Sequence, residues 1–108
     1  MKNKIFTACI VAIVMVACAP KQIITITDVH AAKAATKYPG ATLASLQEGK
    51  SMYEGNCGKC HGLKKPSAYN EDQWGKHVAR MAPKAKIDKH TEDLILQYLV
   101  IVGSSTKP

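Results

Sequence analysis

The stretch Cys57-Gly58-Lys59-Cys60-His61 decides how this chain is read. It is Cys-x-x-Cys-His, the spacing of covalent c-type haem attachment. Two thiols three positions apart on one turn of backbone can add to the two vinyl groups of a single porphyrin. The imidazole that follows is then held against the iron as its proximal ligand. Three other chemistries use parts of the pattern. A thioredoxin-like dithiol needs a βαβ frame, and the flanking sequence has helical periodicity instead. Zinc could draw on Cys57, Cys60 and His61, but His61 is too close to complete a finger spacing. A structural disulfide between Cys57 and Cys60 would close a very short loop.

Upstream, Leu46, Gly49 and Tyr53 fall three and four apart, on one face of a helix from about Thr42 to Glu54. Thr42 is one candidate N-cap, and Ser45-Leu46-Gln47-Glu48 is a better capping box by residue type. Gly49 costs a helix interior about 1 kcal/mol against Ala, which asks for a close contact with another helix. Gly55 and Asn56 end the helix before Cys57.

Downstream, Gly62 to Asn70 reads as a loop containing Lys64-Lys65-Pro66. Asn70 caps a second helix, with Glu71 and Asp72 in its first turn. Trp74, Val78 and Met81 form its stripe, and Pro83 stops it soon after Arg80. Asp88 begins a last helix, with Leu94, Ile95, Tyr98, Leu99 and Val102 as its apolar face. Gly103 closes it, and residues 104–108 are a polar tail. The fold class is therefore all-α. The domain, residues 40–103, has only about 65 residues, a size at which a protein core alone is marginal. A buried prosthetic group would supply the missing apolar mass, and the chain without it should fold poorly.

The first 17 residues read as a signal peptide. Lys2 and Lys4 are its basic start, and Ile5 to Val16 is an uncharged apolar run of 12 residues, too short to span a bilayer. Met15-Val16-Ala17-Cys18 is similar to a bacterial lipobox, which makes Cys18 a lipidation site. The competing site is Ala17-Cys18-Ala19 for ordinary signal peptidase, with Pro20 poorly placed just after it. Residues 18–39 then read as a lipid-anchored tether, an extended or loosely ordered arm. Gln22 to Thr27 has strand-like composition without a partner strand, and Ala31 to Ala35 could form a turn of helix. With Cys9 in the leader, Cys18 on lipid and Cys57 and Cys60 on haem, no cysteine is left for a structural disulfide.

The leader carries two of the 15 basic residues and none of the 8 acidic ones, so the chain from Cys18 has 13 against 8, net +5. In an exported chain this argues against nucleic acid. It suits a lysine-bearing surface that steers acidic redox partners, or lysines that only keep the protein soluble.

Taken together, residues 38–102 resemble a small bacterial class I cytochrome c. Gly49-x-x-x-Tyr53-x-x-x-Cys57, then Cys-Gly-Lys-Cys-His-Gly, Gln73-Trp74, Met81-Ala82-Pro83-Lys84 and Tyr98-Leu99 carry the likeness. The resemblance implies about three helices around one covalent haem, with the first and last helices crossing at Gly49 against Tyr98. It implies His61 as proximal ligand and Met81 as distal ligand, 20 residues on. A thioether there raises the reduction potential; Met81 as core packing is the plainer reading. His77, four residues before Met81, is the alternative ligand, while His90 reads as solvated and His30 lies in the tether. The resemblance also gives Trp74 a propionate contact, with core packing as the alternative. Pro66 matches only loosely the proline whose carbonyl orients the proximal imidazole in that family.

The implied function is electron transfer in the cell envelope, on the periplasmic side of a membrane, and not enzymatic catalysis. No carboxylate pair and no nucleophile beside a base is apparent. Lys59, Lys64, Lys65, Lys84 and Lys86 are the docking candidates. A ligand binder or sensor with an open sixth position, or a haem subunit of a membrane oxidoreductase, are the alternatives.

Overall fold

Every other element packs against the last helix. The computed structural model describes residues 24–58 and 62–105. They form four α-helices, α1 (Asp28–Lys37), α2 (Leu43–Cys57), α3 (Glu71–Ala85) and α4 (Lys89–Ser105), with a 3₁₀ turn at Pro66–Ala68. There is no strand among the described residues, so the all-α expectation holds. α4 touches α1, α2, α3 and the 3₁₀ turn, most extensively α2. Its sequence explains that position. Leu94, Ile95 and every residue from Tyr98 to Gly103 are buried, so α4 is apolar nearly all round over its second half, as a helix enclosed by neighbours must be.

The arm read as a tether is partly a structural element. Residues 18–23 lie outside the described residues, but α1 occupies Asp28–Lys37 and packs on α4 and α2. The reason is local and tertiary at once. The Ala31-Ala32-Lys33-Ala34-Ala35 run has high helix propensity. The Thr27 amide donates to His30 Nδ1 at 3.0 Å, tying the first turn to the residue before it. Asp28 and Lys37 sit at the ends that suit their charges. Ile26 and Ala34 are buried in the common core, and Lys50 Nζ donates to the Ile24 carbonyl at 3.0 Å.

At α2 the cap is Thr42, not Ser45. Thr42 Oγ1 accepts from the Ser45 amide at 3.1 Å, and Ser45 Oγ accepts from the Thr42 amide at 2.8 Å. Gly40, at φ +86°, turns the chain into an extended Thr42, so Ser45 falls one turn inside and serves as the reciprocal partner. The helix runs past Gly55 and Asn56 to Cys57. Asn56 turns back instead, its amide donating to the Met52 carbonyl at 2.9 Å.

Gly49 is where α2 meets α4. A Cβ there would run into the Leu94 carbonyl and stand 3.0 Å from Tyr98 Cβ. The helix cost of that glycine therefore has the cause its sequence position suggested. Gly103 has a similar cause that its position concealed. It lies inside α4, and a Cβ there would meet the Pro66 carbonyl of the 3₁₀ turn. It does not end the helix.

α3 begins as expected. Asn70 Oδ1 accepts from the Gln73 amide at 2.9 Å, and Gln73 Oε1 accepts from the Asn70 amide at 3.0 Å. Its end differs. Pro83 is inside the last turn, and the stop is Lys86 at φ +56°, followed by an Ile87 amide bond to the Ala82 carbonyl. Pro83 is exposed, and so is Ala79, whose carbonyl loses its intrahelical donor and can be met by water. The helix therefore passes Met81 and reaches Ala85. Asp88 then opens α4, its Oδ1 accepting from the Thr91 amide at 2.8 Å. That bond holds the Asp88 carboxyl below the usual range. No helix among the described residues is long and apolar enough to cross a membrane.

Candidate functional site

A cleft opens between the end of α2, the loop after it and the inner face of α3. It holds about 820 Å³ of empty space, counting the part open to solvent. Tyr53 and Cys57 face it from α2, Leu63 and Lys64 from the loop, and His77, Val78 and Met81 from α3. Trp74 forms part of the same wall, and Ile87 and Ile95 contribute at the α3–α4 junction. The lining is overwhelmingly apolar, with five groups able to do chemistry: a thiol, a phenol, an amine, an imidazole and a thioether.

Helical spacing puts these groups together. Tyr53 and Cys57 are four apart on α2, as are His77 and Met81 on α3, so each pair lies on one face. Cys57 is half-buried in the last turn of α2, and burial pushes its thiol pKa up. A dithiol redox centre needs the opposite, a thiolate favoured by a helix N-terminus. The absence of strands among the described residues argues the same way. Cys60 and His61 lie outside the described residues, as does the proposed lipid attachment point Cys18.

Tyr53 fixes the chain that leaves the motif. Its hydroxyl donates to the Lys64 carbonyl at 2.7 Å, and its ring meets Trp74 edge-on at a centroid distance of 6.1 Å. Burial raises its pKa to about 12, so the phenol keeps its proton throughout the neutral range. The pattern reading gave Tyr53 only a place on a stripe. The i, i+4 spacing to Cys57 was the available signal for more.

Trp74 is placed differently from its resemblance-based role. It is 1% exposed, and its indole N–H donates to the Pro66 carbonyl at 2.8 Å. That donor is not turned toward a carboxylate, so packing is the role observed. The same bond occupies the Pro66 carbonyl that was weighed as an imidazole partner. Tyr69 closes over the indole edge-on at 4.9 Å.

Met81 is half-buried in the cleft wall. His77 shares the wall, with Arg80 Nη2 3.1 Å from its Nδ1. Burial, then the positive charges of Arg80 and Lys64, lower the His77 pKa. His90 is exposed at the start of α4. His30 stands in the first turn of α1, bonded to Thr27, away from the cleft lining. Lys64, Lys65, Lys84 and Lys86 are exposed, whereas Lys59 lies outside the described residues. No three His, Cys, Asp or Glu side chains gather as a metal-binding group among the described residues. No protein-family model, curated protein or solved structure matches this chain.

Proposed function

We propose that this chain is a single-haem electron carrier of the cell envelope, similar to the small bacterial class I cytochromes c. The observation that carries the reading is the apolar cleft that begins at Cys57, the first residue of Cys-x-x-Cys-His, and has the Met81 thioether in its wall. A flat, largely apolar macrocycle needs such walls, and soft or imidazole donors suit its iron. The residues present fit that group.

In this reading Cys57 and Cys60 would hold the haem covalently, and His61 and Met81 would supply donors to its iron. Haem supplies a one-electron ferric/ferrous couple. The chain supplies the rest. Val78, Ile87 and Ile95 keep water from the cleft, and a drier site of low dielectric shifts the couple by penalising the more charged oxidation state. Tyr53 fixes the loop after the motif through the Lys64 carbonyl, which limits rearrangement when charge changes. Cys18 anchors the N-terminus in a membrane by its lipid, with the domain on the periplasmic side.

The test is a visible spectrum, oxidised and dithionite-reduced, of protein matured in a host that attaches haem. Expected is a low-spin c-type spectrum with the weak far-red band of sulfur bound to ferric iron, lost in Met81→Ala. A high-spin spectrum moves the assignment to a ligand binder with an open sixth position. Absence of covalent haem overturns the reading.

Electron exchange needs a docking surface, and Lys64, Lys65, Lys84 and Lys86, with Lys59, are its basic candidates. Exchanging all five for Ala should slow exchange with an acidic redox protein on the order of tenfold or more at low salt. It should also flatten the dependence of the rate on ionic strength. Stopped-flow rates at several salt concentrations measure both, and an unchanged rate and slope would refute this surface.

A further inference from the structure

Two nitrogen or sulfur donors on α3 face the same cleft, His77 and Met81, one helical turn apart. Imidazole is the commoner partner of iron, and nothing in the spacing prefers the thioether. The surroundings of His77 do. We propose that Arg80 and Tyr69 are positioning residues that withhold the His77 imidazole and so leave Met81 as the sixth ligand. The proposal rests on the haem reading above.

The argument is one of proton placement. Arg80 has donors only, so its Nη2 at 3.1 Å requires His77 Nδ1 to accept. A neutral imidazole that accepts at Nδ1 carries its proton on Nε2. Neither nitrogen then has a lone pair to give: Nδ1 is engaged by the guanidinium, and Nε2 is protonated. The tautomer needed to bind iron through Nε2 would put an N–H on Nδ1, facing a guanidinium N–H. Two donors would then oppose each other.

Ring contacts hold the same arrangement. Tyr69 lies 5.4 Å from the imidazole, tilted by 36°, and Trp74 meets it edge-on at 5.7 Å. Tyr69, Gln73, Lys76 and Arg80 surround His77 on its outer side, where a second shallow depression lies. His77 thus stands between the cleft and the surface, tied on the surface side. No comparable polar tie to Met81 is present among the described residues, and its flexible side chain is free to follow an iron position.

The holoprotein tests this directly. In Arg80→Ala, and more fully in Arg80→Ala with Tyr69→Leu, His77 can take the ligating tautomer. The far-red sulfur band should fall to less than half its wild-type intensity, and the reduction potential should fall as imidazole replaces thioether. Adding His77→Phe to either variant should restore both. His77→Phe alone should leave the band intact. An intact band in both Arg80 variants overturns the proposal, as does a lost band that His77→Phe does not restore. Covalent haem without any sulfur band in the wild type overturns it while leaving the haem reading standing. Absence of covalent haem defeats that reading and this inference together. If Arg80→Ala matures poorly, Arg80→Met keeps an unbranched stem without any N–H donor and gives the same readout.

Discussion

Trp74→Ala is expected to leave a chain that no longer folds cooperatively at 25 °C. The indole is 1% exposed and is the largest fully buried side chain. Deleting a buried tryptophan costs about 3–5 kcal/mol through lost transfer energy and the cavity left behind. A single core of this size rarely provides more than about 3–5 kcal/mol in total. The loss therefore equals the whole margin. Trp74→Phe separates the two parts of the effect. It keeps much of the ring packing between Tyr53 and Tyr69 but removes the donor to the Pro66 carbonyl, a loss of about 1–3 kcal/mol for a buried acceptor left unpaired. Urea titrations of the holoprotein followed by far-ultraviolet circular dichroism should rank wild type, Phe and Ala in that order. Equal midpoints for wild type and Phe would mean that the indole bond is not a support of the fold.

The helices were legible where one local signal dominated. Asn70 with Gln73 and Asp88 with Thr91 are caps whose geometry follows from residue type and spacing. The stripe Leu46, Gly49, Tyr53 is buried as its period requires. Misreadings came where solvent exposure or tertiary contact overrode a local rule. Pro83 and Gly103 are ordinary stop signals, yet both lie inside helices. Pro83 is tolerated because the bond it removes lies on an exposed face. Gly103 is required by a chain segment 37 positions away, the 3₁₀ turn at Pro66, which no local pattern encodes. The arm before Tyr38 reads as a tether because Gln22 to Thr27 has strand-like composition without a partner strand. Two anchors, Ile26 and Ala34, bury in the common core, and their significance depends on a surface formed only by the folded partners.

At the candidate site, Met81 and His77 were legible as donor residues, and the extension of α3 past Arg80 explains why they share a wall. Sequence spacing could not choose between them. What separates their surroundings is Arg80 and Tyr69, which contact His77 and carry no metal-ligand signal. Of the two roles open to Trp74 in the sequence, packing is the one its surroundings display. An indole N–H is a suitable donor to many acceptors, and in the folded chain it donates to the Pro66 backbone carbonyl.

Gly49→Ala and Gly75→Ala should change stability in opposite directions. Both glycines lie inside helices, and propensity alone predicts a gain of up to about 1 kcal/mol from either change. At Gly75 a new Cβ would meet nothing within 4 Å, so the gain should be realised. At Gly49 the Cβ would strike the Leu94 carbonyl and press on Tyr98 Cβ at 3.0 Å. The obstacle is backbone and cannot rotate aside. Overpacking of this kind costs about 1–3 kcal/mol, which exceeds the propensity gain, and Gly49→Leu should exceed Gly49→Ala. The effect should also reach the cleft, because α2 carries Cys57 two turns after Gly49 and can relieve the clash only by moving away from α4. Covalent haem yield should therefore fall with stability in the Gly49 series and stay constant in Gly75→Ala. Thermal midpoints and haem content per chain measure both. A rise in midpoint for Gly49→Ala equal to that for Gly75→Ala would mean that α2 and α4 do not meet at this glycine. The crossing that places Cys57 opposite α3 would then need another origin.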